Sequence, residues 1–196
     1  MLLSMGFRAV NSFAKHTAWL HAPARLFAEY GVVLFGLLLV AGLLLNRGRE
    51  LRSLARSIVA GVGVLVAVAA NQPIVHAVGE RRPYVRWHDV LVLVHRSTDA
   101  SFPSDHAVMA GAVAVGLLMS RPRLGAVAAV LALLMAVDRV YVGAHYPGDV
   151  IAGLAFGGAV AALLQLVLSP TLTGVLERFS HGPLRPVLVG ASRPRN

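Results

Sequence analysis

Cysteine is absent from this chain and charge is scarce. With no cysteine among 196 residues, disulfides, thiolate metal sites and cysteine nucleophiles are excluded. Charged residues make up only 14% and hydrophobic ones 57%. A soluble domain carries about 25% charged and about 45–50% apolar residues, so composition points to a membrane before any motif is read. Lysine is nearly missing too: Lys15 is one of eighteen positive residues. A GC-rich coding sequence would produce that skew, and it says nothing of mechanism. The net charge of +9 does not indicate nucleic acid. The positives sit between long apolar runs, as membrane loops carry them, and not along one polar face.

The length suits one domain, residues 1–196. Residues 1–25 mix apolar residues with Arg8, Lys15, His16 and His21. No uninterrupted apolar stretch with a small-residue cleavage site follows, so this segment reads as an amphipathic surface helix and not as a cleavable signal. Five apolar segments come next: Tyr30–Asn46, Ser57–Gly79, Pro103–Ser120, Leu124–Tyr141 and Pro147–Ser169, with a tail from 170 to 196. A span needs about 20 mostly apolar residues. The third and fourth are short once Asp105, His106, Asp138 and Arg139 are set aside, and those charges fall on the same side of the bilayer. Charges at such depth face a protein interior or a wet cavity and mark function. The expected fold class is therefore all-α, a polytopic membrane helix bundle of about five spans plus the N-terminal surface helix.

Orientation comes from arginine. Arg47, Arg49, Arg52 and Arg56 share one short loop, Arg121 and Arg123 the next on that side, and Arg178, Arg185, Arg193 and Arg195 the tail. The positive-inside rule puts these in the cytoplasm. The opposite side carries Arg81, Arg82, Arg86 and Arg96 against that rule, and anion binding gives them a reason to be there. Small residues in the last span (Gly153, Gly157, Gly158, Ala161) suit close helix packing.

Three clusters fall on that outer side: Arg82-Pro83, Pro103-Ser104-Asp105-His106, and Asp138-Arg139 followed by His145 and Asp149. Ser104 follows a proline and precedes an apolar run, as an N-cap does, and the helix start behind it is an anion site. Arg82 and Arg139 supply guanidinium forks that match phosphate oxygens. His145 has Asp149 four residues on; if His145 starts the helix, the two share a face. A carboxylate on one ring nitrogen fixes the tautomer and frees the other nitrogen to attack. His106 has no such partner and is the better general acid. Taken singly these signals are weak, since a cap beside an interfacial histidine also reads Ser-x-His. In order, on one side of a bundle, they are specific.

The clusters resemble the three signature motifs of the type-2 phosphatidic acid phosphatase superfamily, which includes vanadium haloperoxidases. That pattern is Lys-x6-Arg-Pro, Pro-Ser-Gly-His and Ser-Arg-x5-His-x3-Asp. The resemblance covers Asn71 to Asp149. It is strongest to the bacitracin-resistance type of undecaprenyl-diphosphate phosphatase, through Ala70-Asn71, Arg82-Pro83-Tyr84, the Ser-Phe-Pro-Ser-Asp-His of residues 101–106 and the Gly-x-His-Tyr-Pro-x-Asp of residues 143–149. Glu29 beside Tyr30 is a fainter likeness. The resemblance implies that the terminal phosphate of a polyprenyl diphosphate lies among Arg82, Arg139 and the Ser104 helix start. It implies that His145 attacks and becomes a phosphohistidine held by Asp149, and that His106 is acid and then base. No metal or cofactor is implied; the partners are the lipid and the membrane, with no nucleic acid. A phosphatase of phosphatidylglycerophosphate or phosphatidic acid, or a protein that binds a lipid headgroup without cleaving it, are the alternatives. Two departures stand out. Val75 occupies the lysine position, which leaves His76, Arg81 or Arg86 to compensate. Asp138 replaces serine, where it is placed to salt-bridge Arg139 or satisfy its spare donors. Asp105 in place of glycine is usual in the prenyl-diphosphate branch. His76, Asp105 and Glu29 are thus accessory candidates.

Overall fold

The computed structural model describes residues 2–47 and 50–180, with side chains from Met5 onward. Arg49, Arg185, Arg193 and Arg195 lie outside the described residues. Helix α1 covers Leu2–His16, and a 3-10 turn at Ala18–Leu20 leads into α2, His21–Asn46. Then come α3 (Leu51–Val78), the short α4 (Pro83–Arg86), α5 (Asp105–Ser120), α6 (Pro122–Tyr141) and α7 (Pro147–Phe179). Among the described residues there is no strand. The turn with α2, the stretch of α3 through α4, α6 and α7 are each long and apolar enough to cross a membrane.

Helix α5 is 16 residues, about 24 Å at 1.5 Å per residue, short for a hydrocarbon core about 30 Å thick. Its place in the bundle explains the length. It is the central helix, packed against α3, α6 and α7, and its middle from Ala110 to Ala114 is buried. It does not need to match the lipid, because other helices face it. The outward belt is apolar instead: Leu65 is 73% exposed and Leu166 68%. A patch that extensive is foreign to a soluble monomer.

Glycine sets how close α5 and α7 come. A Cβ at Gly157 would overlap the Val108 carbonyl, and one at Gly111 the Leu154 carbonyl. Backbone therefore meets backbone, and the starts of the two helices are drawn together: Ser104 N–H donates to the Asp149 carbonyl at 3.2 Å. The small-residue stripe expected in the last span brings this about.

Boundaries differ from the sequence reading at several ends. Helix α2 begins at His21, nine residues before Tyr30, because Pro23 falls in its first turn, where a missing N–H is harmless. Helix α7 continues through Pro170 to Phe179, past the expected end at Ser169. Helix α1 does more than lie on a surface. Phe7 and Ala14 are fully buried against the bundle. Phe7 stacks on Trp87 at 5.6 Å and meets Tyr146 edge-on at 5.6 Å. Asn11 bonds both backbone groups of Leu91, donating at 2.8 Å and accepting at 3.0 Å.

Candidate active site

Three chain segments converge at the ends of α5, α6 and α7. The loop after α3 supplies Arg82, and the segment before α5 supplies Ser101 to Ser104. The turn between α6 and α7 supplies His145. That turn is tight: Gly143 adopts a left-handed φ of 81°, and a Cβ there would strike the Leu91 carbonyl. Arg139 at the end of α6 anchors it, its carbonyl accepting from the N–H groups of Ala144 (3.1 Å) and His145 (3.2 Å).

His145 is 3% exposed. Its Nδ1 lies 2.8 Å from the Ser101 carbonyl, which can only accept, so Nδ1 carries the proton and donates. Nε2 is then unprotonated, and Arg82 Nη1 donates to it at 3.1 Å. Burial, reinforced by the charges of Arg82 and Arg139, holds the His145 pKa well below its ordinary value. The ring is therefore neutral, with one lone pair directed at a guanidinium. Arg82 is fixed at its other edge, Nε donating to the Asp99 carbonyl at 2.9 Å.

Asp149 lies beside this pair by a route the spacing does not indicate. His145 is not on the helix; α7 starts at Pro147 with Tyr146 as its N-cap. The carboxylate turns back over the helix start, accepting from Tyr146 N–H at 2.9 Å and from the Ser101 hydroxyl. It reaches His145 Nδ1 only at 3.4 Å, so the Ser101 carbonyl is the nearer partner of the ring.

Two further donors close the site. Ser104 is the N-cap residue of α5, yet its side chain does not cap the helix; Oγ is buried without a hydrogen-bond partner among the described residues. Arg139 is 7% exposed and its Nε is likewise unpartnered. Buried polar groups are normally bonded, so a hydroxyl and a guanidinium edge left over beside a neutral histidine suit an anion. His106, half-buried on the first turn of α5, makes no side-chain hydrogen bond among the described residues. A lone-pair nitrogen, two guanidiniums and a helix N-terminus thus lie near one another, an arrangement suited to holding an anion such as phosphate.

The PAP2 superfamily profile matches residues 56–171. The chain belongs to the PAP2 superfamily. It is a multi-pass PAP2-type membrane phosphatase. It is 30% identical over 148 residues to the undecaprenyl-diphosphatase BcrC of Bacillus subtilis (strain 168), covering 76% of this chain and 75% of the relative. It is 35% identical over 159 residues to the decaprenylphosphoryl-5-phosphoribose phosphatase of Mycobacterium tuberculosis (strain ATCC 25618 / H37Rv), covering 81% and 86%. The crystal structure of the first transmembrane PAP2 type phosphatidylglycerolphosphate phosphatase from Bacillus subtilis superposes with a TM-score of 0.61 at 21% identity, over 92% of this chain and 89% of that one. It shares the fold.

The departures from the superfamily pattern take definite positions. Val75 is buried in α3. His76 is exposed and bonds to none of the cluster, and the same holds for Glu29 on α2. Asp138 does not pair with Arg139, contrary to expectation. Its carboxylate makes no hydrogen bond among the described residues, with Oδ2 buried, and the residue lines an apolar groove with Phe13, Leu20 and Tyr141. Successive residues on a helix point in different directions, so facing the site with Arg139 turns Asp138 away. Asp105 points out of the cluster as well, accepting from Asn71 Nδ2 at 2.7 Å and Gln72 Nε2 at 3.0 Å. It ties the start of α5 to α3. Ser101 is the residue that sequence reasoning does not place in the site, because a serine carbonyl leaves no signal there. Asn71, legible only as a family likeness, braces the start of α5 through Asp105 and the Pro103 carbonyl. Among the described residues no group of three His, Asp or Glu is arranged to hold a metal.

Proposed function

We propose that this chain hydrolyses a polyprenyl diphosphate, of the undecaprenyl kind, to the monophosphate and inorganic phosphate on the outer face of the membrane. One observation carries the reading: His145 is held as the Nδ1–H tautomer, with Nε2 toward Arg82 and the unpartnered donors of Arg139 and Ser104 nearby. The terminal phosphate enters between the two guanidiniums. Arg82 Nη1 exchanges the ring nitrogen for a phosphate oxygen, and Nε2 attacks phosphorus in line. The bond from phosphorus to the bridging oxygen breaks, and its electron pair leaves with the polyprenyl monophosphate. That leaving group has a last pKa of about 6, so it departs near neutrality with little help from an acid. His106 then takes a proton from water as the water attacks the phosphohistidine, and inorganic phosphate is released with Nε2 restored. Asp149 offsets the positive charge that the ring carries in between. Arginine charge does the neutralising that a divalent cation does elsewhere.

Both relatives above that match at 30% identity or more bear polyprenyl names, which supports a polyprenyl lipid. The identity to the phosphoribose phosphatase favours a second reading, a phosphate monoester on the sugar of a polyprenylphosphoryl pentose. Purified protein assayed for phosphate release in excess EDTA separates the two. Undecaprenyl diphosphate is expected to be the preferred substrate over lipid monophosphates, with His145→Gln inactive and folded. Preference for a monoester would favour the second reading. Turnover by His145→Gln, or loss in EDTA restored by magnesium, would overturn the mechanism.

A further inference from the structure

Asp149 makes its close contacts to neighbours of His145 and not to the ring. Its Oδ2 accepts from the Ser101 hydroxyl and from Tyr146 N–H, and stays 3.4 Å from Nδ1. Ser101, fully buried, touches both members of the pair. Its carbonyl receives the Nδ1 proton at 2.8 Å, its hydroxyl donates to the carboxylate, and that hydroxyl oxygen is 3.5 Å from Nδ1. Its backbone is pinned in turn, Ser101 N–H donating to the Glu80 carbonyl at 2.7 Å. That tie joins it to the loop that carries Arg82.

We propose that Ser101 is a positioning residue of the reaction: its carbonyl fixes the tautomer of His145, and its hydroxyl sets where the Asp149 carboxylate stands relative to the ring. This rests on the reading of His145 as nucleophile. A neutral imidazole is adequately held by a carbonyl. A phosphohistidine carrying protons or phosphorus on both nitrogens is cationic, and a carboxylate serves it far better. The hydroxyl keeps that carboxylate within 3.4 Å, desolvated and aimed, so that its attraction grows as the ring gains charge. An interaction stronger in the transition state than in the ground state raises kcat and leaves KM alone.

The consequence is specific to the hydroxyl, because any residue at 101 keeps the carbonyl. Ser101→Ala should lower kcat roughly 10- to 100-fold, the range of one hydrogen bond to a charged group, with KM within about twofold. Asp149→Asn removes the charge that the hydroxyl positions. Ser101→Ala placed on Asp149→Asn should therefore cost almost nothing more. Such non-additivity marks residues acting as one unit. A thermal melt in detergent checks that each variant is folded. If Ser101→Ala turns over like the wild type, or if its loss multiplies in full with that of Asp149→Asn, Ser101 is structural and the proposal fails. His145→Gln assayed alongside keeps the two claims apart. An inactive His145→Gln with a wild-type-like Ser101→Ala sinks only the role of Ser101, whereas an active His145→Gln sinks the nucleophile itself.

Discussion

At the scale of the residue, His145 is decided by what surrounds it and not by its own chemistry. A buried imidazole between two guanidiniums would have to take up a proton against both burial and repulsion, which is why its pKa is lowered. Neutrality leaves it the lone pair that the proposed nucleophile needs, and it also makes stability depend on pH. The unfolded chain releases histidine to its ordinary pKa of 6.5. Below that pH the unfolded state binds a proton that the folded state refuses, so folding is penalised. The contribution is fully favourable above 6.5 and is lost as pH falls from there toward the lowered folded pKa. Between about pH 7.5 and about pH 5.5 the melting temperature of the wild type should therefore fall more than that of His145→Gln, whose amide does not titrate. Parallel curves would mean that the ring is already charged in the folded protein. The candidate site residues stand out in the sequence by motif spacing, because phosphate chemistry restricts which side chains can serve. Their bonds do not. Asp138 looks like a partner for Arg139 because the two adjoin in sequence, but helical rotation separates them. Asp149 looks like a helix-face partner of His145, but its contact is made by folding back over the N-terminus of α7.

At the scale of the element, hydropathy finds every apolar helix and misjudges several ends. Apolar length is a strong signal because a membrane leaves the backbone no other way to satisfy its polar groups. Ends are set by local bonds that hydropathy does not see. Pro170 reads as a stop, but inside α7 it removes only one donor while the flanking hydroxyls bond backward, Thr173 to the Ser169 carbonyl at 2.7 Å. Helix α1 is legible as amphipathic, yet nothing in its sequence identifies Phe7 as the residue that meets Trp87 and Tyr146. The approach of α5 to α7 is the feature on which the site depends most directly. It brings Ser104 and His106 to the turn that holds His145. Gly157→Ala should drive a Cβ into the Val108 backbone and destabilise the protein by about 1–3 kcal/mol, the usual cost of overpacking. Gly61 offers the control: it also lies inside a helix, but a Cβ there would meet nothing within 4 Å. Gly61→Ala should be neutral or stabilising by up to about 1 kcal/mol. Melting both variants in detergent tests this. Equal shifts would show that the glycines matter for flexibility and not for contact.

At the scale of the whole molecule, the two ends of the bundle differ in how they use arginine. At one end arginines tie helix termini together. Arg121 donates to the Leu45 carbonyl at 3.0 Å and to Asn46 at 2.8 Å, and Arg56 donates to the Met119 carbonyl at 3.2 Å. Cations at helix C-termini are favourable there whatever else the protein does. At the other end Arg82 and Arg139 converge on His145, so their charge serves a site and is not free to set topology. The arginine-rich loops at 47–56 and 121–123 belong to the first end in the sequence, and by the positive-inside rule they support the proposal that the site faces outside. The chain has no cysteine, so one introduced thiol reports one position. Asp99→Cys, in the exposed loop whose carbonyl holds Arg82, should react with an impermeant thiol reagent added to intact cells. Arg52→Cys, exposed at the opposite end, should react only after the cells are opened. Both substitutions touch surface side chains and should leave the fold intact, which retained phosphate release would verify. Labelling of Arg52→Cys from outside, with Asp99→Cys protected, would invert the molecule. The site would then face the cytoplasm, and the outer-face part of the proposed function would fail.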